Sequence, residues 1–133
     1  MRCLIVEDEF TSRRILQRIM TDYGEADVAV DGGEAGDAFC LALDEGSPYD
    51  VVFLDIMLPG MNGQQVLEAI RRAESERGFE VGTGTKIIMT TSLSDATNVM
   101  RAFRGGCESY LVKPIERDKV VEALTKLGLL QAA

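Results

Sequence analysis

The sequence predicts an α/β domain in which a parallel sheet carries helices on both faces. Three observations point there. Short apolar runs alternate with stretches of helical spacing, five times over. The run at residues 51–54, VVFL, is apolar without interruption, as a strand covered on both faces requires. Turn residues mark several of the joins, at Gly46, Pro59-Gly60, Gly105-Gly106 and Gly128.

The elements follow in order. Residues 3–6 form the first apolar run. Ile15, Leu16, Ile19, Met20 and Tyr23 then recur at helical spacing. Residues 26–30 make a short strand with Val28 and Val30 on one face. Ala35, Ala38, Phe39, Ala42 and Leu43 mark one face of a second helix, and Gly46 is placed to stop it. After the strand at 51–54, Asn62 and Gln65 stand as a capping box. Val66, Leu67 and Ile70 form the buried stripe of that helix. Residues 87–89 make the fourth strand. Ala96, Val99, Met100 and Phe103 follow at i, i+3, i+4 and i+7, and Gly105-Gly106 ends that helix. Residues 110–112 are the fifth strand. Val120, Val121, Leu124 and Leu127 mark the last helix, closed by Gly128. Residues 74–85, ESERGFEVGTGT, form a long polar surface loop. The expected organisation is one domain over 1–133, with a frayed tail at 129–133.

Composition excludes several functions. The chain has 133 residues and a formal net charge of −8, which disfavours direct nucleic-acid binding. Cys3, Cys40 and Cys107 are far apart and odd in number, so neither a disulfide framework nor a zinc site is indicated. A reducing, cytoplasmic setting is the simpler expectation. No apolar run approaches 20 residues, so no membrane span is expected. There is no histidine, which removes any chemistry needing one as base or ligand.

In an open α/β sheet, ligands gather at the carboxyl ends of the strands. There the sequence places Glu7, Asp8 and Glu9 after the first strand and Asp55 after the third. Thr90, Thr91 and Ser92 follow the fourth, and Lys113-Pro114 the fifth. Taken singly, each has a plain explanation. The acids favour a helix N-terminus, Asp55 caps a turn, Thr91 fills a strand end and Lys113 is solvated. Jointly those explanations are poor. Carboxylates crowded together repel by about 4 kcal/mol at 4 Å and an effective dielectric near 20. They therefore take up protons or a cation, and hard oxygens without His or Cys suit Mg²⁺ or Mn²⁺. A carboxylate is also a competent nucleophile in aspartyl-phosphate chemistry. Phosphoryl transfer then needs positioning, a metal and groups such as Lys113 and Thr91 for the oxygens.

The segments LIVEDE, VVFLDIMLPGMNG, KIIMTTS and SYLVKPI, in this order and spacing, resemble the receiver domain of bacterial two-component response regulators. The resemblance covers essentially the whole chain. It implies a flavodoxin-like (βα)5 fold with strand order 2-1-3-4-5. It implies Asp55 as phosphoacceptor, with Asp8 as a direct Mg²⁺ ligand, Glu7 acting through water and the Met57 carbonyl completing the protein ligands. Thr91 matches the switch hydroxyl, Lys113 the phosphoryl-pairing lysine, and Tyr110 the aromatic that turns inward with Thr91. A cis Lys113-Pro114 peptide is implied as well. The acidic pair is Glu-Asp rather than the commoner Asp-Asp. Met57 and Leu93 match positions that tune acyl-phosphate hydrolysis, and being apolar they imply a long-lived phosphoryl group.

The implied function is a phosphorylation-dependent signalling switch rather than a classical enzyme. A sensor histidine kinase or a His-phosphotransfer protein would be the donor. The output would be a protein target or a self-dimer through the fourth helix, fifth strand and fifth helix, where Arg101, Arg104, Arg117, Asp118 and Lys119 lie. Two rivals are weaker. A haloacid-dehalogenase-type enzyme wants an aspartate where Met57 stands. A receiver that never takes phosphate would not need the full acceptor set.

Overall fold

The computed structural model describes residues 1–92 and 96–131. Ten elements alternate: β1 (Arg2–Val6), α1 (Phe10–Met20), β2 (Glu25–Ala29), α2 (Gly32–Asp44), β3 (Val51–Asp55), α3 (Gly63–Glu76), β4 (Lys86–Thr91), α4 (Ala96–Gly105), β5 (Ser109–Val112) and α5 (Arg117–Lys126). The strands pair in parallel in the order β2-β1-β3-β4-β5, the flavodoxin-like order expected.

Strand alternation divides the core in two. Leu4, Val6, Val52, Leu54, Ile87 and Met89 face α2, α3 and α4. Cys3, Ile5, Val51, Phe53 and Ile88 face α1 and α5, through Leu16, Ile19, Met20, Val120 and Leu124. β3 is buried along its whole length, which is why its sequence is apolar up to Asp55.

Helix ends obey local chemistry. The Asn62 side chain accepts from Gln65 N–H at 3.0 Å and Gln65 Oε1 accepts from Asn62 N–H at 2.9 Å, so the capping box forms. Gly63 has a packing reason: a Cβ there would stand 2.3 Å from the Asp55 carbonyl oxygen. Gly46, with φ of 77°, lets the chain leave α2 in the left-handed region.

Several expectations change. α1 starts at Phe10 and ends at Met20, so Tyr23 lies in the following turn, although its ring still packs on the core. On β2 it is Ala29 that is buried. Val28 and Val30 are exposed, because an edge strand has a neighbour on one side only. On α4 the buried residues are Val99 and Ala102, while Met100 and Phe103 are exposed. The helix sits at the margin of the sheet and its apolar stripe is wider than the surface it covers. The presumed loop at 74–85 is shorter, since α3 runs to Glu76 and Glu74 is buried. Leu129 and Leu130, expected in a frayed tail, pack against the α1–α5 core, and Leu129 N–H donates to the Leu124 carbonyl.

Candidate functional site

Four strand ends build the site. β1 stops at Val6, and Glu7 follows with its N–H bonded to the Ala29 carbonyl at 3.0 Å. Glu9 caps α1 by accepting from Ser12 N–H at 2.7 Å. The short turn between them carries Glu7 fully buried and Asp8 exposed. Arg13 Nη1 donates to the carbonyls of Glu7 and Asp8 at 3.2 and 3.3 Å and so braces this turn.

Asp55 is the last residue of β3 and 4% exposed. Its Oδ1 accepts from Met57 N–H at 3.0 Å, and its Oδ2 accepts from Lys113 Nζ at 3.0 Å. The same ammonium lies 2.7 Å from Glu7 Oε1, an ionic contact outside hydrogen-bonding geometry, since that oxygen is buried without a hydrogen-bond donor. Lys113 reaches the acids from the end of β5, where its N–H bonds the Thr91 carbonyl at 2.8 Å and the Lys113–Pro114 peptide is cis.

One carboxylate oxygen each from Glu7, Asp8 and Asp55 lies within 4.8 Å of the others. At that spacing each pair of full charges costs about 3 kcal/mol at an effective dielectric near 20, and one lysine neutralises one of three. Glu7 registers the strain. Burial, then the neighbouring Asp55 carboxyl, raise its pKa to about 7 despite the opposing pull of Lys113. Burial acts to lower the Lys113 pKa, but Glu7 and Asp55 outweigh it and the net shift is upward. A buried, under-neutralised set of hard oxygens, one of them held by ionic contact alone, fits a divalent cation of the Mg²⁺ type.

The other expected residues within the described range stand outside the cluster of three acids. Thr91 ends β4, is 2% exposed, and its hydroxyl donates to the Ser92 carbonyl at 3.2 Å. Met57 is exposed beside Asp55. Tyr110 points outward on β5, 44% exposed, with its ring edge-on to Phe103 at 6.1 Å. Leu93 lies outside the described residues. Arg117 is already paired with Asp22 at 2.8 Å.

No motif or spacing in the sequence marks Arg13 or Gln64. Arg13 acts through backbone carbonyls, which leave no sequence pattern. Gln64 looks like an ordinary first-turn polar residue, yet it is 6% exposed and donates to the Asn98 carbonyl at 2.6 Å.

Fold and site together define a doubly wound α/β domain with a candidate cation and phosphoryl site at its carboxyl edge. The response regulator receiver domain pattern matches residues 3–125, and the chain belongs to that family. It is 34% identical over 125 residues to the sensor histidine kinase GacS of Pseudomonas protegens, matching 94% of this chain and 13% of that protein. The co-crystal structure of Saccharomyces cerevisiae phosphotransfer protein Ypd1 with the Ssk1 receiver domain matches at TM-score 0.81 and 25% identity, over 100% of this chain and 92% of that one. The CheX–CheY–BeF3–Mg complex of Borrelia burgdorferi matches at TM-score 0.80 and 27% identity, over 98% and 90%. The chain thus spans a small part of the full-length sensor kinase. Among the described residues, no helix is long and apolar enough to cross a membrane.

Proposed function

We propose that the chain is a phosphoryl-accepting switch in which Asp55 is the acceptor. The observation that carries this is the pairing of a nearly buried Asp55 with Lys113 at 3.0 Å, inside a cluster of three carboxylates. An Asp55 oxygen attacks the phosphorus of a phosphohistidine on a partner kinase or phosphotransfer protein. The P–O bond forms as the P–N bond breaks, and the imidazole leaves with the bonding pair and takes up a proton. Among receiver relatives, Ssk1 was crystallised with the phosphotransfer protein Ypd1, which supports this class of donor.

Asp8, Asp55 and the Met57 carbonyl would hold Mg²⁺ directly, with Glu7 acting through a water. When bound, the cation offsets the crowded negative charge of the acids and the transferred phosphoryl group. The Borrelia CheY relative was solved with Mg²⁺, which supports that choice. Lys113 then exchanges its carboxylate partner for a phosphoryl oxygen. The Thr91 hydroxyl turns from Ser92 toward the same group, and Tyr110 moves off Phe103 into the space behind it. These contacts bias a two-state equilibrium of α4, β5 and α5. That face presents Met100, Phe103, Tyr110 and Val112 to solvent, beside a groove of about 540 Å³ between β5 and α5. A protein target or a second copy would read it.

Incubation with phosphoramidate and Mg²⁺, followed by intact mass, tests the reading. One phosphoryl group should add to the wild type and none to Asp55→Asn. Equal labelling of both proteins would reject Asp55 as the acceptor.

A further inference from the structure

Gln64 joins the acceptor end of the sheet to α4. It directly follows Gly63, whose Cα lies so close to β3 that no side chain fits against the Asp55 carbonyl. The Gly63 N–H also bonds the Ile56 carbonyl at 2.9 Å. The Gln64 backbone is therefore fixed to the chain that carries Asp55. Its buried side chain reaches the other way and donates to the Asn98 carbonyl, in the first turn of α4, at 2.6 Å.

The two ends of α4 are held differently. At its C-terminal end, Arg71 donates twice to the Gly106 carbonyl, at 3.1 and 2.6 Å, and Cys107 N–H bonds the Ala102 carbonyl at 3.0 Å. Between the ends, α4 buries only Val99 and Ala102 among its described residues, whereas α3 buries seven positions from Gly63 to Glu74. A helix with so few buried side chains among its described residues is inexpensive to pivot. The tie from Gln64 lies at the end nearer to Asp55.

A buried amide needs a partner for its own sake. What gives this one a further role is where its two ends are attached. We infer that Gln64 is a positioning residue of the switch: its side chain latches the first turn of α4 to the acceptor end of β3 and opposes the movement that phosphorylation favours. The inference rests on the proposed phosphoryl switch for its consequence, but the latch is a property of the unphosphorylated chain. Loss of one ordinary hydrogen bond changes a two-state ratio by about five-fold.

Backbone amide hydrogen exchange on the full, unphosphorylated chain tests the latch directly. Gln64→Met keeps the volume and removes the donor. It should speed exchange at residues 99–105 about five-fold while α1 and α5 keep their rates. Unchanged α4 rates, or equal acceleration in every element, would overturn the latch. In the wild type, NMR should show the Gln64 side-chain amide protected from exchange, and exchange at the free-amide rate would overturn it with no variant needed. With phosphoramidate, Gln64→Met should be phosphorylated about five-fold faster than wild type, because its competent state is more populated. Equal rates would overturn the role in switching. A wild type that accepts no phosphoryl group would reject the function proposed above, while the exchange data would still decide the latch.

Discussion

The two ends of the sheet each hold a polar cluster, and they are built on opposite plans. At the amino ends of β4 and β5, Arg71 sits between Glu74 and Glu108. Its Nη1 donates to Glu74 Oε1 at 2.6 Å and the Thr85 carbonyl at 2.8 Å, and its Nη2 contacts Glu108 at 2.9 and 3.0 Å. The acids are further satisfied by backbone: Thr85 N–H donates to Glu74 and Ile87 N–H donates to Glu108, both at 2.7 Å. At the carboxyl ends, Glu7, Asp8 and Asp55 share one lysine, and Glu7 Oε1 has no hydrogen-bond donor. The first cluster is a finished structural joint. The second holds more negative charge than its one lysine neutralises. The difference shows how a stable fold carries a site that is electrostatically incomplete.

If that contrast is right, substitutions at the two ends act with opposite sign on stability. Arg71→Met leaves two acids without their cation and removes the clamp on Gly106. It should cost about 3 kcal/mol in urea unfolding. Glu7→Gln removes a buried charge that the metal-free protein holds at a cost. In EDTA at pH 8 it should gain about 1–2 kcal/mol. A loss comparable to that of Arg71→Met would erase the distinction.

The pH dependence sharpens the same point. Glu7 has a pKa raised from 4.5 to about 7 by burial and by Asp55, so the folded state binds more protons than the unfolded one between those values. Its contribution is fully present below about pH 4.5 and is lost as pH rises through about 7. Wild type in EDTA should therefore lose stability from pH 5 to pH 8 relative to Glu7→Gln, in parallel urea titrations. Mg²⁺ should offset that loss, and a tenfold excess over its dissociation constant adds about 1.4 kcal/mol. The same addition should leave Asp8→Asn nearly unchanged.

The smallest effect concerns timing. Met57 is 67% exposed beside Asp55 and its thioether cannot orient a water well. Met57→Asn should shorten the phosphoryl lifetime several-fold, about 1 kcal/mol in barrier, when decay is followed by intact mass. A wild-type half-life of seconds would contradict the long lifetime expected from an apolar residue there.

The sequence shows one of these clusters far better than the other. Asp55 stands out because it ends an apolar strand, and Glu7, Asp8, Thr91 and Lys113 stand at other strand ends, where topology brings them together. The Arg71 joint was hidden. Glu74 lies in a stretch that looks like a polar loop, and its burial depends on Gly84 and Thr85 closing over its carboxylate. The exposure of Met100 and Phe103 was equally hidden, since helical spacing gives the apolar face of α4 but not how much of it the sheet covers. Gln64 leaves no mark in the sequence because its partner is a backbone carbonyl 34 residues away. Side chains that act on backbone across elements leave no periodicity to detect.

Calorimetric titration of the metal-free chain with Mg²⁺ at pH 6 and pH 8 tests most directly whether the carboxyl edge is held open for a cation. The account predicts one Mg²⁺ bound, proton release on binding, tighter affinity at pH 8, and loss of binding in Asp8→Asn. Equal affinity in wild type and Asp8→Asn, or no binding at either pH, would contradict it.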